Sequence, residues 1–357
     1  MKTAAICALG VALMALAASQ RLSTEDDFRQ FYRAASLAQS HESVFARPSF
    51  SPATNSESSY LPFNRVPSYA AVLGPLASLP YTAARWVWLA ISGMAFLACI
   101  WLLPCGRDRL ATGLAWSFPV AVTFALGQDI GLILMFALAA ARVYSTGREF
   151  CAGLVASLIA IKVSFLPATG LVFLAKSRRG SLGFGIGVAL QLAGSFAIGG
   201  MEWPAEYSAS LQRSLSAFEV RRMPNVRAIV TSLSLPDALY VLAAASIFIA
   251  LFVACRKLSF TDAMTLALAA AVIASPYCFI YDAVLITPLL ASTASMDSWD
   301  GMLAGAALTP MPWLMLMAGN GTMLLLGSAL ATASVLFAAA RFLKLSLAPA
   351  VAVPAYG

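Results

Sequence analysis

Several places in the sequence set polar side chains capable of chemistry inside or beside long apolar runs. The first is Ser23-Thr24-Glu25-Asp26-Asp27-Phe28, where three consecutive acids follow an apolar segment. Paired carboxylates at such a place can supply a general base, with Asp27 and Asp26 the candidates. The same residues also read as a helix start, since Ser23-x-x-Asp26 and Thr24-x-x-Asp27 have capping-box-like spacing. The helix that follows would carry Phe28, Phe31, Tyr32 and Ala35 on one face, a pattern suited to lying in a membrane interface. The two readings are compatible, because a carboxylate at a helix start is well held.

Further along, Arg65 lies within Leu61-Pro62-Phe63-Asn64-Arg65-Val66-Pro67-Ser68-Tyr69, ahead of Gly74-Pro75-Leu76 and Leu79-Pro80. Prolines at this spacing break a helix repeatedly, which predicts a kinked, re-entrant segment rather than a full span. The planar guanidinium of Arg65 can grip a phosphate, although an interfacial anchor is the plainer reading. Gly127-Gln128-Asp129 forms a polar turn whose Gln128 and Asp129 side chains can bond sugar hydroxyls, or merely complete the turn. Lys162 stands alone in Ala160-Ile161-Lys162-Val163-Ser164-Phe165-Leu166-Pro167. An isolated lysine in apolar sequence points to a functional site, with snorkelling to the interface as the alternative. Arg213, Arg221, Arg222 and Arg227 oppose Glu202, Glu206 and Glu219 in a polar stretch, and such arginines can attract a lipid phosphate or simply face water. Ser275-Pro276-Tyr277 and Tyr281-Asp282 interrupt two apolar runs and make Asp282 a second carboxylate at membrane depth. His41, the sole histidine, has no partner in sequence, which argues against a histidine-based triad or metal cluster.

The elements that must position these residues follow from composition. Of 357 residues, 60% are hydrophobic and 11% charged, with mean hydropathy +0.81. An ordinary soluble domain carries roughly 25% charged residues. A soluble enzyme and a disordered chain are therefore excluded, and an all-α polytopic transmembrane bundle is expected. The net charge of +7 does not indicate nucleic acid, because the basic residues are scattered singly or in pairs between apolar runs. Six cysteines without a CxxC pair support neither a disulfide framework nor a zinc site. Apolar runs are expected near 4–19, 84–104, 110–125, 130–144, 150–161, 165–176, 181–199, 236–254, 262–275, 280–294, 301–318 and 322–340, a count of about 10–12 spans. Several fall short of the ~20 residues that cross the hydrocarbon, so they must be tilted, broken or buried. The first run admits a cleaved signal peptide, but an uncleaved helix with its N-terminus inside is the preferred reading.

Charge then sets orientation. Arg107, Arg109, Arg142, Arg148, Lys176, Arg178, Arg179, Arg256, Lys257, Arg341 and Lys344 fall in one set of short loops, the cytoplasmic set by the positive-inside bias. Because Arg142/Arg148 and Arg178/Arg179 share a side, residues 150–176 must enter and return, with Lys162 at the turn. Two long outer loops, 20–83 and 200–235, are expected above the bundle, the first with interfacial or re-entrant helices. Both termini are placed in the cytoplasm, and residues 1–357 are read as one integral membrane domain.

In order and spacing these residues resemble glycosyltransferase family 87, within the GT-C superfamily. The resemblance is carried by Asp27-Phe28 with Phe31-Tyr32-x-Ala34-Ala35, Pro67 through Pro75-Leu76-x-x-Leu79-Pro80, Gly127-Gln128, Ala152-Gly153, Ile161-Lys162, Arg178-Arg179, Ser275-Pro276 and Tyr281-Asp282, over about residues 20 to 295. It implies transfer of a hexose, typically mannose, from a polyprenyl-phosphate donor to a lipid or glycan acceptor at the outer face of the cytoplasmic membrane. It further implies that the acid of the first outer loop is the base, Asp27 with Asp26 as rival. A departing polyprenyl phosphate leaves as an anion, so the enzyme needs a base on the attacking hydroxyl and positive charge near the phosphate. Lys162, Arg65, Arg221 and Arg222 would bind that phosphate, while Gln128, Asp129, Tyr281 and Asp282 would meet the sugar and acceptor. A single base predicts inversion at the anomeric carbon. Relatives often carry histidine near the serine-proline motif, where this chain has Tyr281-Asp282. No nucleotide cofactor is expected, since Gly183-x-Gly185-x-Gly187 lies in a helical run rather than after a strand. No metal is assigned, and nothing in the sequence bars or indicates a divalent ion. The alternative is a lipid-linked-sugar flippase, which would place its charges at mid-membrane in two matching halves.

Overall fold

Prolines and glycines punctuate an otherwise helical chain, and their positions decide which apolar runs become long helices. The computed structural model of the protein describes residues 9–10, 27–46, 63–103, 107–214, 220–295, 297–317 and 319–347. Most of the expected first span (4–19), and Asp26 with it, lie outside them. α1 (Phe28–Gln39) is followed by two short helices, α2 (Pro67–Val72) and α3 (Gly74–Ala77), each with proline in its first turn, where no N–H is needed. This is the broken segment that the proline spacing predicts. α4 (Tyr81–Leu102) runs unbroken, whereas α5 (Arg107–Ala115) and α6 (Phe118–Leu126) are bent by 62° at a break ahead of Pro119. Then come α7 (Ile130–Ser145), α8 (Glu149–Ser157), α9 (Leu166–Lys176), α10 (Arg178–Gly199) and α11 (Trp203–Ser214). α12 (Val226–Ser232), α13 (Asp237–Cys255), α14 (Phe260–Ala274), α15 (Thr287–Thr293), α16 (Trp299–Gly305), α17 (Met311–Met317) and α18 (Gly321–Leu347) complete the order. Among the described residues there is no strand.

Among the described residues four helices, α4, α10, α13 and α18, are long and apolar enough to cross a membrane, or five spans if the bent α5–α6 pair counts as one. The sequence predicts 10–12 spans, and the difference has a physical reason. The remaining runs fold into shorter pieces that stack inside the bundle. α14 is the clearest case, with every residue from Ala263 to Ala274 buried, as expected of a helix that is apolar on all sides. The long helices instead turn large apolar side chains outward, among them Trp86, Leu97 and Trp101 on α4 and Leu242 and Ile249 on α13. Apolar side chains exposed this widely are suited to lipid contact. Cys99, Cys151, Cys255 and Cys278 are free thiols.

The stretch from α8 to α9 does enter and return. Ser177, at the N-cap of α10, donates through Oγ to Glu149 Oε2 at the start of α8. The two ends of the hairpin therefore meet, and its far point is Lys162, extended between 3₁₀ turns at Leu158–Ile161 and Val163–Phe165. Glycines let this hairpin lie against α10. A Cβ on Gly153 would strike the Gly180 carbonyl, and one on Gly183 would strike the Phe150 carbonyl. The glycine run of α10 thus serves helix packing.

The bundle has two chemically different ends. Tyr144 donates through its hydroxyl to the Lys176 carbonyl (3.4 Å) and stacks on Phe260 (3.8 Å), and Lys176 Nζ donates to the Leu258 carbonyl. These contacts gather the loops that hold Arg142, Arg148, Arg178, Arg179, Arg256 and Lys257 at one end. The 16 residues of α7 carry the chain from there to Asp129, about 24 Å away at 1.5 Å per residue.

Candidate functional site

Opposite the basic end, residues from five separate stretches converge. α1 is anchored by its apolar face, with Phe28 stacked on Trp88 (5.8 Å between ring centres) and Phe31 edge-on to Tyr69 (6.1 Å). Tyr32 donates through its hydroxyl to the Leu79 carbonyl (2.7 Å). The face expected to lie in a membrane interface is thus covered by protein, with Phe28, Phe31, Ala34 and Ala35 buried and Tyr32 only partly so. Covering that face aims the residue just before α1. Asp27 occupies the N-cap position, yet its side chain makes no cap bond. Its Oδ2 instead accepts a hydrogen bond from Gln128 Nε2. The capping-box partners Ser23, Thr24 and Asp26 lie outside the described residues, and Asp27 itself does not cap the helix it precedes.

Gln128 is presented by a turn that only glycine allows comfortably. Gly127 ends α6 in the left-handed region (φ 68°), and its carbonyl accepts from Trp88 Nε1 at 2.7 Å. Asp129 sits at the N-cap of α7, again without capping it. Its two oxygens accept instead from Arg65 Nε (2.8 Å) and Nη2 (2.6 Å), a bidentate fork. Arg65 Nη1 donates to the Asn64 carbonyl (3.1 Å), and Nη2 also reaches Gln128 Oε1 (3.3 Å). A continuous chain therefore runs Asp129–Arg65–Gln128–Asp27. Burial tends to raise the Asp129 carboxyl pKa, but the adjacent Arg65 guanidinium more than reverses this and holds it below the usual carboxylate range.

The second pair is Lys162 with Asp282. Nζ donates to both carboxylate oxygens, and Asp282 Oδ2 also accepts the Phe279 N–H at 2.7 Å. The ammonium lies 5.1–5.7 Å from the ring centres of Phe165, Tyr277 and Tyr281. Asn64 Nδ2 donates to the Tyr277 hydroxyl (2.6 Å) and so joins the two pairs. Arg65, Asp129, Lys162 and Asp282 also lie within electrostatic reach of one another, as does Asp27 of Tyr281. Only 0–3% of Arg65, Gln128, Asp129, Lys162 and Asp282 is exposed, against 7–8% of Asp27, Asn64, Tyr277 and Tyr281. The cluster thus has a dry interior and an edge, with Asp27 on the edge.

The cluster unites Asp27, Arg65, Gln128, Asp129, Lys162, Tyr281 and Asp282, all expected from the sequence. Several of them stand differently from expectation. Arg65 and Lys162, expected to grip a phosphate, are engaged by Asp129 and Asp282, which were expected to meet the sugar, and the amide of Gln128, also expected to meet sugar hydroxyls, is engaged by Asp27 and Arg65. Arg221 and Arg222 are half-buried on the stretch before α12, which Asn225 ties to the site. Its Nδ2 donates to the Ser275 carbonyl (2.8 Å), while Oδ1 caps α12 at Ala228. α11 lies against residues on either side of the gap between α1 and α2, with Ser210 Oγ donating to the Phe63 carbonyl (3.0 Å) and Ser43 Oγ to Glu206 (2.9 Å). Asn64, Tyr277 and Asn225 are members that the sequence reading did not single out. Of these, Asn225 carries a local signal, as a helix-start asparagine. Among the described residues no group of three or more His, Cys, Asp or Glu could hold a metal.

The sequence model of a protein family described as Glycosyltransferase family 87 matches residues 66–288, more than half of the chain. Gln128, Asp129, Lys162, Tyr281 and Asp282 lie inside that stretch, with Asp27 and Arg65 ahead of it. No match to the chain is found among curated proteins or among solved structures.

Proposed function

The chain belongs to glycosyltransferase family 87, and from that premise we propose that it transfers a hexose, mannose in the first instance, from a polyprenyl-phosphate donor to a lipid or glycan acceptor. The observation that carries this reading is the Asp27 carboxylate, turned away from its own helix and held at the edge of a buried polar cluster. Asp27 takes the proton of the attacking acceptor hydroxyl. The new bond forms between that oxygen and the anomeric carbon as the bond to the phosphate oxygen breaks, its electron pair leaving with the phosphate. One displacement inverts the anomeric configuration. Polyprenyl phosphate is already a good leaving anion, so no acid is required on that side.

Charge bookkeeping divides the remaining roles. Asp129 already engages the Arg65 guanidinium and Asp282 the Lys162 ammonium, so both of these cations are neutralised in place. An anion is therefore poorly served by Arg65 and Lys162 while their partners stay in place. The arginines of the second outer loop, Arg221 and Arg222, are tied to the site through Asn225 and supply the missing positive charge for the departing phosphate. Arg65, Lys162 and Asp282 set the field and hold the walls, and Tyr281 at the edge faces the sugar. On this reading the reaction takes place at the outer face of the cytoplasmic membrane, and the position of the cluster opposite the basic loops supports it. The purified protein in liposomes, given labelled polyprenyl-phosphate mannose or a nucleotide sugar with an acceptor extract, tests the donor class. A product glycosidic bond of inverted configuration from the lipid donor alone is expected. Use of the nucleotide sugar, or movement of the lipid across the bilayer without a new bond, contradicts it, the second outcome pointing to a flippase.

A further inference from the structure

We infer that Gln128 is the positioning residue for the base, an amide whose direction is locked by Arg65 and Asp129 so that it holds Asp27 as a carboxylate in one orientation. This rests on the reading of Asp27 as the base. An amide has an accepting end and a donating end of nearly equal shape, and its neighbours decide which points where. Here neither neighbour leaves a choice. A guanidinium only donates, so the end of Gln128 that meets Arg65 Nη2 at 3.3 Å must be the carbonyl oxygen. The Nε2 end then faces Asp27 Oδ2 and donates to it.

Nothing in this relay is loose. Arg65 is fixed by two bonds to Asp129 and one to the Asn64 carbonyl, with the Phe31 ring centre 5.4 Å away. Gln128 is fixed at its backbone, where its N–H donates to the Thr123 carbonyl (2.9 Å) beside the left-handed Gly127. At 1% exposure the Gln128 side chain is shielded from water that could compete for its amide. A hydrogen bond donated to a carboxylate favours the charged form, and the guanidinium at the far end polarises the amide and strengthens that donation. Asp27 is thereby kept unprotonated and its carboxyl plane set before an acceptor hydroxyl arrives. Gln128 touches the base and acts through it.

The test is the pH profile of kcat/KM for labelled polyprenyl-phosphate mannose in proteoliposomes, for the wild type, Gln128→Glu, Gln128→Met and Asp27→Asn. Gln128→Glu still accepts from Arg65 but replaces the donor with a like charge, and Gln128→Met removes donor and acceptor at similar volume. Both are expected to move the acid limb to higher pH by about one pH unit or more, Gln128→Glu further, with part of the rate regained above it. Gln128→Met preserves the readout should Gln128→Glu fail to insert. A uniform loss of rate with the limb unmoved would mean that Gln128 only packs, and an unchanged profile would mean that it does not act; either overturns the proposal. Asp27→Asn separates the two levels. Wild-type activity in that variant removes the base reading and this inference together, whereas an inactive Asp27→Asn beside an unmoved limb removes only the role of Gln128.

Discussion

At the scale of single residues, the site is organised by carboxylates that decline their local partners. Asp27 and Asp129 both stand at helix N-caps, where an aspartate normally accepts from its own helix, and both bond across the bundle instead. The capping spacing was visible in the sequence, but which partner the carboxylate takes depends on Gln128 and Arg65, brought in from 101 and 64 residues away. Lys162 was legible as unusual because no other charge lies near it in sequence. Its neutralisation by Asp282, 120 residues on, was not legible. Removing one member of such a buried pair leaves an uncompensated charge, at a cost of about 3–5 kcal/mol. Lys162→Met is therefore expected to lower the thermal midpoint of the protein in detergent, and Lys162→Met with Asp282→Leu to recover most of the loss. A double variant no more stable than the single one would show that the pair is not the source of the effect.

At the scale of elements, the sequence reading located nearly every apolar run but not what each becomes. The charges at the ends of residues 150–176 demand a shared side and so predict a returning hairpin, and its ends do meet at Glu149 and Ser177. Run lengths of 12–16 residues could not say that such pieces break into 3₁₀ turns and stack around α14. That outcome depends on close approach between segments, and close approach depends on glycines. Gly183→Ala places a methyl against the Phe150 carbonyl and is expected to destabilise the protein by about 1–3 kcal/mol. Gly185, two residues on and so on the opposite face of the helix, has open space at its Cβ, and Gly185→Ala should stabilise α10 by up to ~1 kcal/mol through helix propensity alone. Thermal unfolding in detergent reads both. Equal effects of the two substitutions would mean that the hairpin does not seat on α10 through Gly183.

At the scale of the whole molecule, low charge content was enough to exclude a soluble protein, and the placement of the charges gives the bundle its direction. Seven basic residues, Arg142, Arg148, Lys176, Arg178, Arg179, Arg256 and Lys257, mark one end, while the carboxylates of the site lie about 24 Å away across α7. Against a hydrocarbon core of ~30 Å, that separation supports the proposal that the cluster lies at the outer rim of the membrane. Single cysteines at Glu42 and at Ser145, in a chain whose native cysteines are replaced, test this orientation in intact cells with a membrane-impermeant maleimide. Glu42→Cys should label directly and Ser145→Cys only after permeabilisation, and the reverse order would turn the site toward the cytoplasm. The central claim is narrower still: the carboxylate that leaves its helix to meet Gln128 is the base of sugar transfer. Its most direct measurement is the rate at which Asp27→Asn protein in proteoliposomes transfers labelled mannose from a polyprenyl-phosphate donor. A fall of ~10²–10⁴ is expected with insertion and donor binding intact, and transfer at the wild-type rate would show that Asp27 is not the base.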